Sequence, residues 1–134
     1  MRTGDGAVGL VLDSHGLSEA ARGEDTVRSL VRRAVTAGAP VVVSAATLAE
    51  VLRGAARDAS VHLLLKGLRV QAVTAEVGRS AGELLGRTGR SDAIDAIVVA
   101  TADLLPRPVV VVTSDPKDIG ALAAELAGVR VRAV

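Results

Sequence analysis

The chain has 134 residues, a formal net charge of +1, no Cys, and no Phe, Tyr or Trp. This length predicts one domain spanning residues 1–134, and the absence of Cys excludes disulfides and thiolate metal sites, which favours a reducing compartment such as the cytoplasm. The balanced charge argues against a broad, non-specific nucleic-acid binder.

Short Val-rich runs alternate with longer segments that have helical spacing, which predicts an α/β fold. In chain order we expect a strand at 8–12, a helix at 24–37, a strand at 41–43, helices at 45–54 and 58–66, a strand at 68–73, helices at 75–87 and 92–104, a strand at 109–112, a helix at 118–126 and a strand at 129–131. Five buried strands in this pattern predict a three-layer α/β/α arrangement around a mainly parallel sheet. We expect residues 1–7 to form a loose tail.

Cap residues mark the predicted helix starts, and charges and prolines interrupt the most apolar stretch. Ser44 and Ser91 are predicted helix caps, and Ser114 or Asp115 is predicted to cap the helix near Pro116. Charges and two prolines interrupt the most apolar stretch, residues 97–112, so we expect no membrane span.

Acidic residues follow a predicted strand or lie in a predicted helix at four separate places. Asp13 follows the first strand and Asp115 the fourth, while Glu50 and Asp95 lie in helices. Because the carboxyl ends of parallel strands share one edge of a sheet, we expect these acids to meet in one crevice. Crowded carboxylates repel one another unless a cation compensates, and Mg²⁺ or Mn²⁺ prefers oxygen ligands. The pattern predicts a metal centre that hydrolyses phosphodiesters.

Neighbouring residues are assigned supporting roles. Asp92 lies three residues before Asp95 near a helix start, which favours capping over metal binding. Of the pair Asp115 and Asp118, we assign the metal role to Asp115 and the capping role to Asp118. Thr113 or Ser114 is placed to orient a carboxylate or a metal-bound water.

Other polar residues have two readings. His15, beside the end of the first strand, is either a base or ligand of the site or an exposed loop residue. Glu50 is either a site residue or a solvated helix residue paired with Arg53 or Arg57. Four arginines fall near the predicted crevice, where phosphate contacts and ordinary solvated faces explain them equally well: Arg22, Arg53, Arg87 and Arg90. Because the chain has no aromatic ring to stack on bases, arginine planes, backbone groups and shape would have to recognise any nucleic acid.

Three stretches, 47–54, 95–102 and 113–115, taken with the strand that ends at Asp13, resemble the PIN domain, most closely the VapC-type ribonuclease toxins of toxin–antitoxin pairs. The resemblance implies that Asp13, Glu50, Asp95 and Asp115 are catalytic and hold one or two Mg²⁺ or Mn²⁺ ions. It further implies an RNA substrate, a cognate antitoxin protein and a homodimer. The chain departs from the family pattern at two places. Residues 14–16 are Ser-His-Gly where relatives often have a hydroxyl residue followed by apolar ones, and Ile119 stands where many relatives have Phe.

Competing interpretations explain fewer of these residues. The match Gly4-x-Gly6-x-x-Gly9 precedes the first strand, whereas a dinucleotide-binding motif links a strand to a helix. A phosphoaspartyl receiver accounts for the acids at strand ends but not for Glu50 or Asp95. A PIN-like module that binds RNA or protein without turnover is the alternative that remains open.

Overall fold

A computed structural model describes residues 7–134, so most of the predicted tail, residues 1–6, lies outside the described residues. Its sheet has five strands in the order β3-β2-β1-β4-β5, and every neighbouring pair is parallel. The strands are β1 (Gly9–Leu12), β2 (Val41–Ser44), β3 (Arg69–Gln71), β4 (Val109–Thr113) and β5 (Val129–Ala133). The predicted α/β fold is confirmed, and the sheet is parallel throughout.

Seven helices connect and cover the strands. They are α1 (Ser14–Ala21), α2 (Asp25–Thr36), α3 (Ala45–Val51), α4 (Ala59–Leu65), α5 (Ala75–Thr88), α6 (Ala93–Asp103) and α7 (Pro116–Ala123). A short 3₁₀ turn, Ala56–Asp58, precedes α4. Six of the seven correspond to predicted helices, and α1 was not predicted. None of the helices in the described part of the chain is long and apolar enough to cross a membrane.

Alternate side chains of β1 pack on opposite faces of the sheet. Leu10 and Leu12 join a core with α1, α2 and α4, whereas Val11 joins a second core with α5, α6 and α7. Helices therefore cover both faces, as the prediction required, and the aliphatic residues of the chain fill both cores.

Helix α6 brings an acidic residue to the carboxyl edge of the sheet. Nearly every residue from Ala96 to Ala102 is buried, because this helix packs against α5 on one side and the sheet on the other. Asp95 sits one residue before this buried run, near the helix N-terminus. The buried body of α6 thus fixes the position of Asp95.

Three local predictions are wrong. The strand predicted at 68–73 has three residues, of which Arg69 and Val70 are exposed, because β3 is an edge strand that pairs only with β2. Asp92, and not Ser91, caps α6. The loop expected after β1 is instead helix α1, whose Leu17 is fully buried. The predicted cap Ser44 is confirmed, since its hydroxyl accepts from the amide of Ala46 at 3.1 Å.

Candidate metal centre

Three acids of the carboxyl edge also begin helices: Asp13 caps α1, Asp92 caps α6 and Asp115 caps α7. In each, Oδ1 accepts a backbone N–H from the residue three positions later, a standard capping bond. The donors are the amides of Gly16 at 2.8 Å, Asp95 at 3.0 Å and Asp118 at 3.2 Å. The capping bonds fix the carboxylates and occupy only one oxygen of each.

Strand pairing places Asp13 beside the end of β4. Leu12 is in register with Val112, and the Asp13 amide donates to the Val112 carbonyl oxygen at 3.1 Å. The buried hydroxyl of Thr113 accepts from the Asp115 amide at 2.9 Å, so Thr113 holds the backbone at Asp115. Asp13 and Asp115 therefore flank the point where the chain order of the strands reverses, which is where parallel sheets bind ligands.

Asp95, Asp115 and Asp118 form the tightest acidic group in residues 7–134, with one carboxylate oxygen of each within 4.8 Å of the others. The capping role assigned to Asp118 is wrong. Asp115 caps α7 because its backbone is not helical, whereas Asp118 lies inside the first turn of the helix. The guanidinium of Arg90 pairs with this carboxylate.

The charges of four other acids act on Asp95. Burial and then the charges of Asp92, Asp115, Asp13 and Glu50 raise the pKa of Asp95 from 3.8 to about 6. Ionised Asp95 is therefore destabilised by its surroundings, and a bound cation would remove that penalty. A set of carboxylate oxygens without His or Cys fits Mg²⁺ or Mn²⁺.

Glu50 does not pair with an arginine in the described residues. Its side chain is exposed on α3, and the guanidinium of Arg53 donates instead to the carbonyl oxygens of Ala49 and Leu52, each at 2.9 Å. Of the two interpretations of Glu50, the ion pair is absent from the described residues, and the charge of Glu50 contributes to the raised pKa of Asp95.

Two other candidates lie elsewhere. His15 is in α1, with Nε2 3.6 Å from Oε1 of Glu19, and so is neither in a loop nor paired with an acid of the centre. Arg87 pairs with Glu125 at 3.3 Å on the α5 and α7 side. His15 and Arg87 are thus held by partners outside the acidic group.

A cleft adjoins the acids on each side. The first, of about 450 Å³, lies between α5, α6 and α7 and is lined by Arg90, Asp92, Asp95 and Asp118 among others. The second, of about 430 Å³, lies between α1, α3 and α4. It contains Glu50 and three arginines: Arg22, Arg53 and Arg57. Arg57 was missed as a site candidate, because an Arg after a helix end carries no signal of its own in the sequence.

The fold and this centre define a class of protein: a parallel α/β domain with an acidic cluster at the carboxyl edge of its sheet. The chain belongs to the PIN domain family, whose model matches residues 10–123. No curated protein sequence matches the chain significantly.

Several solved structures share this fold. VapBC2 from Rickettsia felis, bound to a DNA fragment from its promoter, is 14% identical with a TM-score of 0.71 over 95% of this chain and 99% of that one. A toxin–antitoxin complex from Klebsiella pneumoniae is 22% identical, with a TM-score of 0.66 over 90% and 94%. DNA-bound VapBC from Salmonella typhimurium is 17% identical, with a TM-score of 0.65 over 94% and 98%. At these identities the likeness establishes the fold.

Proposed function

We propose that this chain is a metal-dependent endoribonuclease and the toxin of a toxin–antitoxin pair. The observation that carries the proposal is the acidic group of Asp95, Asp115 and Asp118, whose carboxylate oxygens lie within 4.8 Å of one another. The charges of four neighbouring acids also contribute to raising the pKa of Asp95 to about 6. Membership of the PIN family and a fold shared with toxin–antitoxin complexes support it.

The residues that would hold Mg²⁺ or Mn²⁺ are Asp95, Asp115 and Asp118, with Asp13 and Glu50 close by. When bound, such an ion supplies an activated water and neutralises charge on the phosphate. Metal dependence also follows from charge, because without a cation the clustered carboxylates would repel an RNA phosphate.

The chain's own residues would perform two further tasks. Exposed Glu50, which has no ion pair in the described residues, is available to accept a proton from the attacking water. The capping bonds of Asp13 and Asp115 keep their carboxylates oriented without substrate, so little reorganisation is required during the reaction.

Partners and compartment belong to the same proposal. We infer a cognate antitoxin protein, a homodimer, an RNA substrate and action in the cytoplasm. The shared fold with toxin–antitoxin complexes supports the antitoxin, and the absence of Cys supports a reducing compartment.

Mapping of new RNA 5′ ends would test the activity. Purified protein is incubated with total RNA in Mn²⁺, in Mg²⁺ and in EDTA, beside Asp95→Asn and the control Asp103→Asn, which makes the same change at the other end of α6. We expect metal-dependent cuts that disappear in Asp95→Asn and persist in Asp103→Asn. No cuts by folded protein on RNA from its own source would contradict the nuclease and favour a PIN-like module that binds without turnover.

A further inference from the structure

The cleft between α1, α3 and α4 carries concentrated positive charge next to the acidic centre. We call it the arginine cleft and define it by Arg22, Arg53 and Arg57, together with Ser18, Ser60 and Glu50. Glu50 lines this cleft, and its helix α3 packs against α6, the helix that carries Asp95. A ligand in the arginine cleft would therefore lie directly beside the proposed metal centre.

The one other acid that lines this cleft is already satisfied by the backbone. Asp58 is 4% exposed, and its Oδ2 accepts the amides of Arg53 and Gly54 at 2.8 Å and of Ala55 at 3.3 Å. These N–H groups, that of Arg53 first, hold the pKa of Asp58 below its ordinary value. Asp58 forms no ion pair with an arginine in the described residues, so it does not neutralise the guanidinium groups of the cleft.

The arginines differ in how they are held. Arg22 pairs with Glu19, and the guanidinium of Arg53 is oriented by two carbonyl oxygens at the end of α3. Arg57 is exposed and has no ion pair within residues 7–134. Arg53 is thus pre-oriented, and Arg57 carries a charge that a ligand can use at no cost to a native ion pair.

We propose that the arginine cleft binds a backbone phosphate of RNA next to the bond that the acidic centre would cleave. The inference rests on the proposed function and assigns a substrate-binding subsite to it. Guanidinium groups match phosphate oxygens bidentately, and the two serine hydroxyls add neutral donors. With no aromatic ring in the chain, the cleft would bind the backbone and not stacked bases.

The opposite cleft gives the RNA a path across the centre. It contains one arginine, Arg90, whose charge is paired with Asp118. The two clefts lie on opposite faces of the sheet, with the acids between them. A strand that crosses the acids would thus be bound more strongly on the α1, α3 and α4 side, where Arg53 and Arg57 form no ion pair in the described residues, than on the other.

Arg57 is the cleanest position for a test, because Arg53 also caps a helix and Arg22 has a native partner. In an Asp95→Asn parent, which should bind RNA without cutting it, we compare Arg57→Gln, Arg57→Lys and Arg79→Gln. Arg79 is exposed on α5 and lines neither cleft. Binding of a fluorescent single-stranded RNA is measured by anisotropy across a salt series, and circular dichroism checks that each variant is folded.

Loss of one phosphate contact should lower the slope of log affinity against log salt by about 0.7. When salt rises from about 50 to about 200 mM, the affinity of Arg57→Gln for RNA should therefore fall about threefold less than that of the parent. Arg57→Lys and Arg79→Gln should keep the parent's slope. An unchanged slope in Arg57→Gln would overturn the subsite. So would a parent that binds no RNA, and binding of a polyglutamate peptide in its place would assign the cleft to an acidic protein.

The wild-type cleavage assay, run in parallel, separates the two proposals. Cleavage by the wild type with an unchanged slope in Arg57→Gln would refute the subsite and leave the nuclease standing. RNA binding whose salt dependence decreases by the expected amount in Arg57→Gln, without cleavage by the wild type, would support the subsite and refute the nuclease.

Discussion

Replacing Asp95 by Asn should make the metal-free protein more stable at neutral pH. Burial and four neighbouring acids raise the pKa of Asp95 from 3.8 to about 6, so its ionised form is unfavourable in the folded state. This rise corresponds to about 3 kcal/mol at neutral pH. Because the side chain is only partly buried, solvent screening reduces the figure, and we expect a gain of about 1 kcal/mol.

The pH dependence of this gain has a defined sign. Between pH 3.8 and about 6 the folded state holds a proton on Asp95 that the unfolded state has lost. The contribution of Asp95 to stability therefore falls as pH rises through this window. The advantage of Asp95→Asn should be near zero at pH 4 and complete above pH 7.

Urea denaturation in EDTA at pH 4.5 and pH 7.5 measures both effects, with Asp103→Asn as the control. Asp103 pairs with Arg107 at the far end of α6, so its replacement should not stabilise the protein at either pH. Added Mg²⁺ at about 100 times its Kd should stabilise the wild type by about 2.7 kcal/mol and Asp95→Asn by much less. A metal-free Asp95→Asn protein less stable than the wild type at pH 7.5 would refute the electrostatic reasoning.

Substitutions at Gly16 and Thr113 test the contacts that position the acidic centre, and Gly82→Ala is a matched glycine control. Gly16→Ala should destabilise the protein by about 1–3 kcal/mol, because the new Cβ would lie 2.9 Å from the carbonyl oxygen of Val112. In contrast, Gly82→Ala on α5 meets nothing within 4 Å and should stabilise by about 0.5–1 kcal/mol through helix propensity, which urea denaturation would measure. Thr113→Val should cost about 1 kcal/mol and weaken Mg²⁺ binding in a calorimetric titration, because the Asp115 amide loses its acceptor.

Controls distinguish these effects from general damage. Thr101→Val removes a buried hydroxyl that donates to the Ile97 carbonyl oxygen at 2.7 Å, inside α6. It should lower stability but leave Mg²⁺ affinity unchanged. Equal loss of affinity in Thr101→Val and Thr113→Val would contradict an orienting role for Thr113, and equal stability changes in the two glycine variants would contradict the close approach of α1 to β4.

Features set by strand topology could be predicted from the sequence. Val-rich runs identified the strands, and their parallel order brought Asp13 and Asp115, about a hundred residues apart, to one edge. Helix α1 gave no comparable signal, because it is short and contains Gly16 and two serines. Its formation depends on the Asp13 cap and on Leu17 reaching a core that other segments build.

Details decided by backbone conformation or neighbour number could not be predicted. Asp115 and Asp118 are three residues apart, and either could begin α7 until the non-helical backbone at Asp115 is known. β3 is largely exposed because it pairs with one strand only, β2. The sequence Arg69–Gln71 does not indicate how many neighbours this strand has. The positive charge of the arginine cleft likewise depends on the Asp58 carboxylate, which accepts backbone N–H groups and does not pair with an arginine in the described residues.

Three acids of the proposed centre also cap helices, so their charge can be removed without loss of the helix cap. Asn caps a helix about as well as Asp. At Asp13, Asp92 and Asp115 a single change to Asn would therefore remove a charge and leave the start of the helix intact. One such substitution could thus abolish the proposed nuclease activity at almost no structural cost and leave the surface of the fold unchanged.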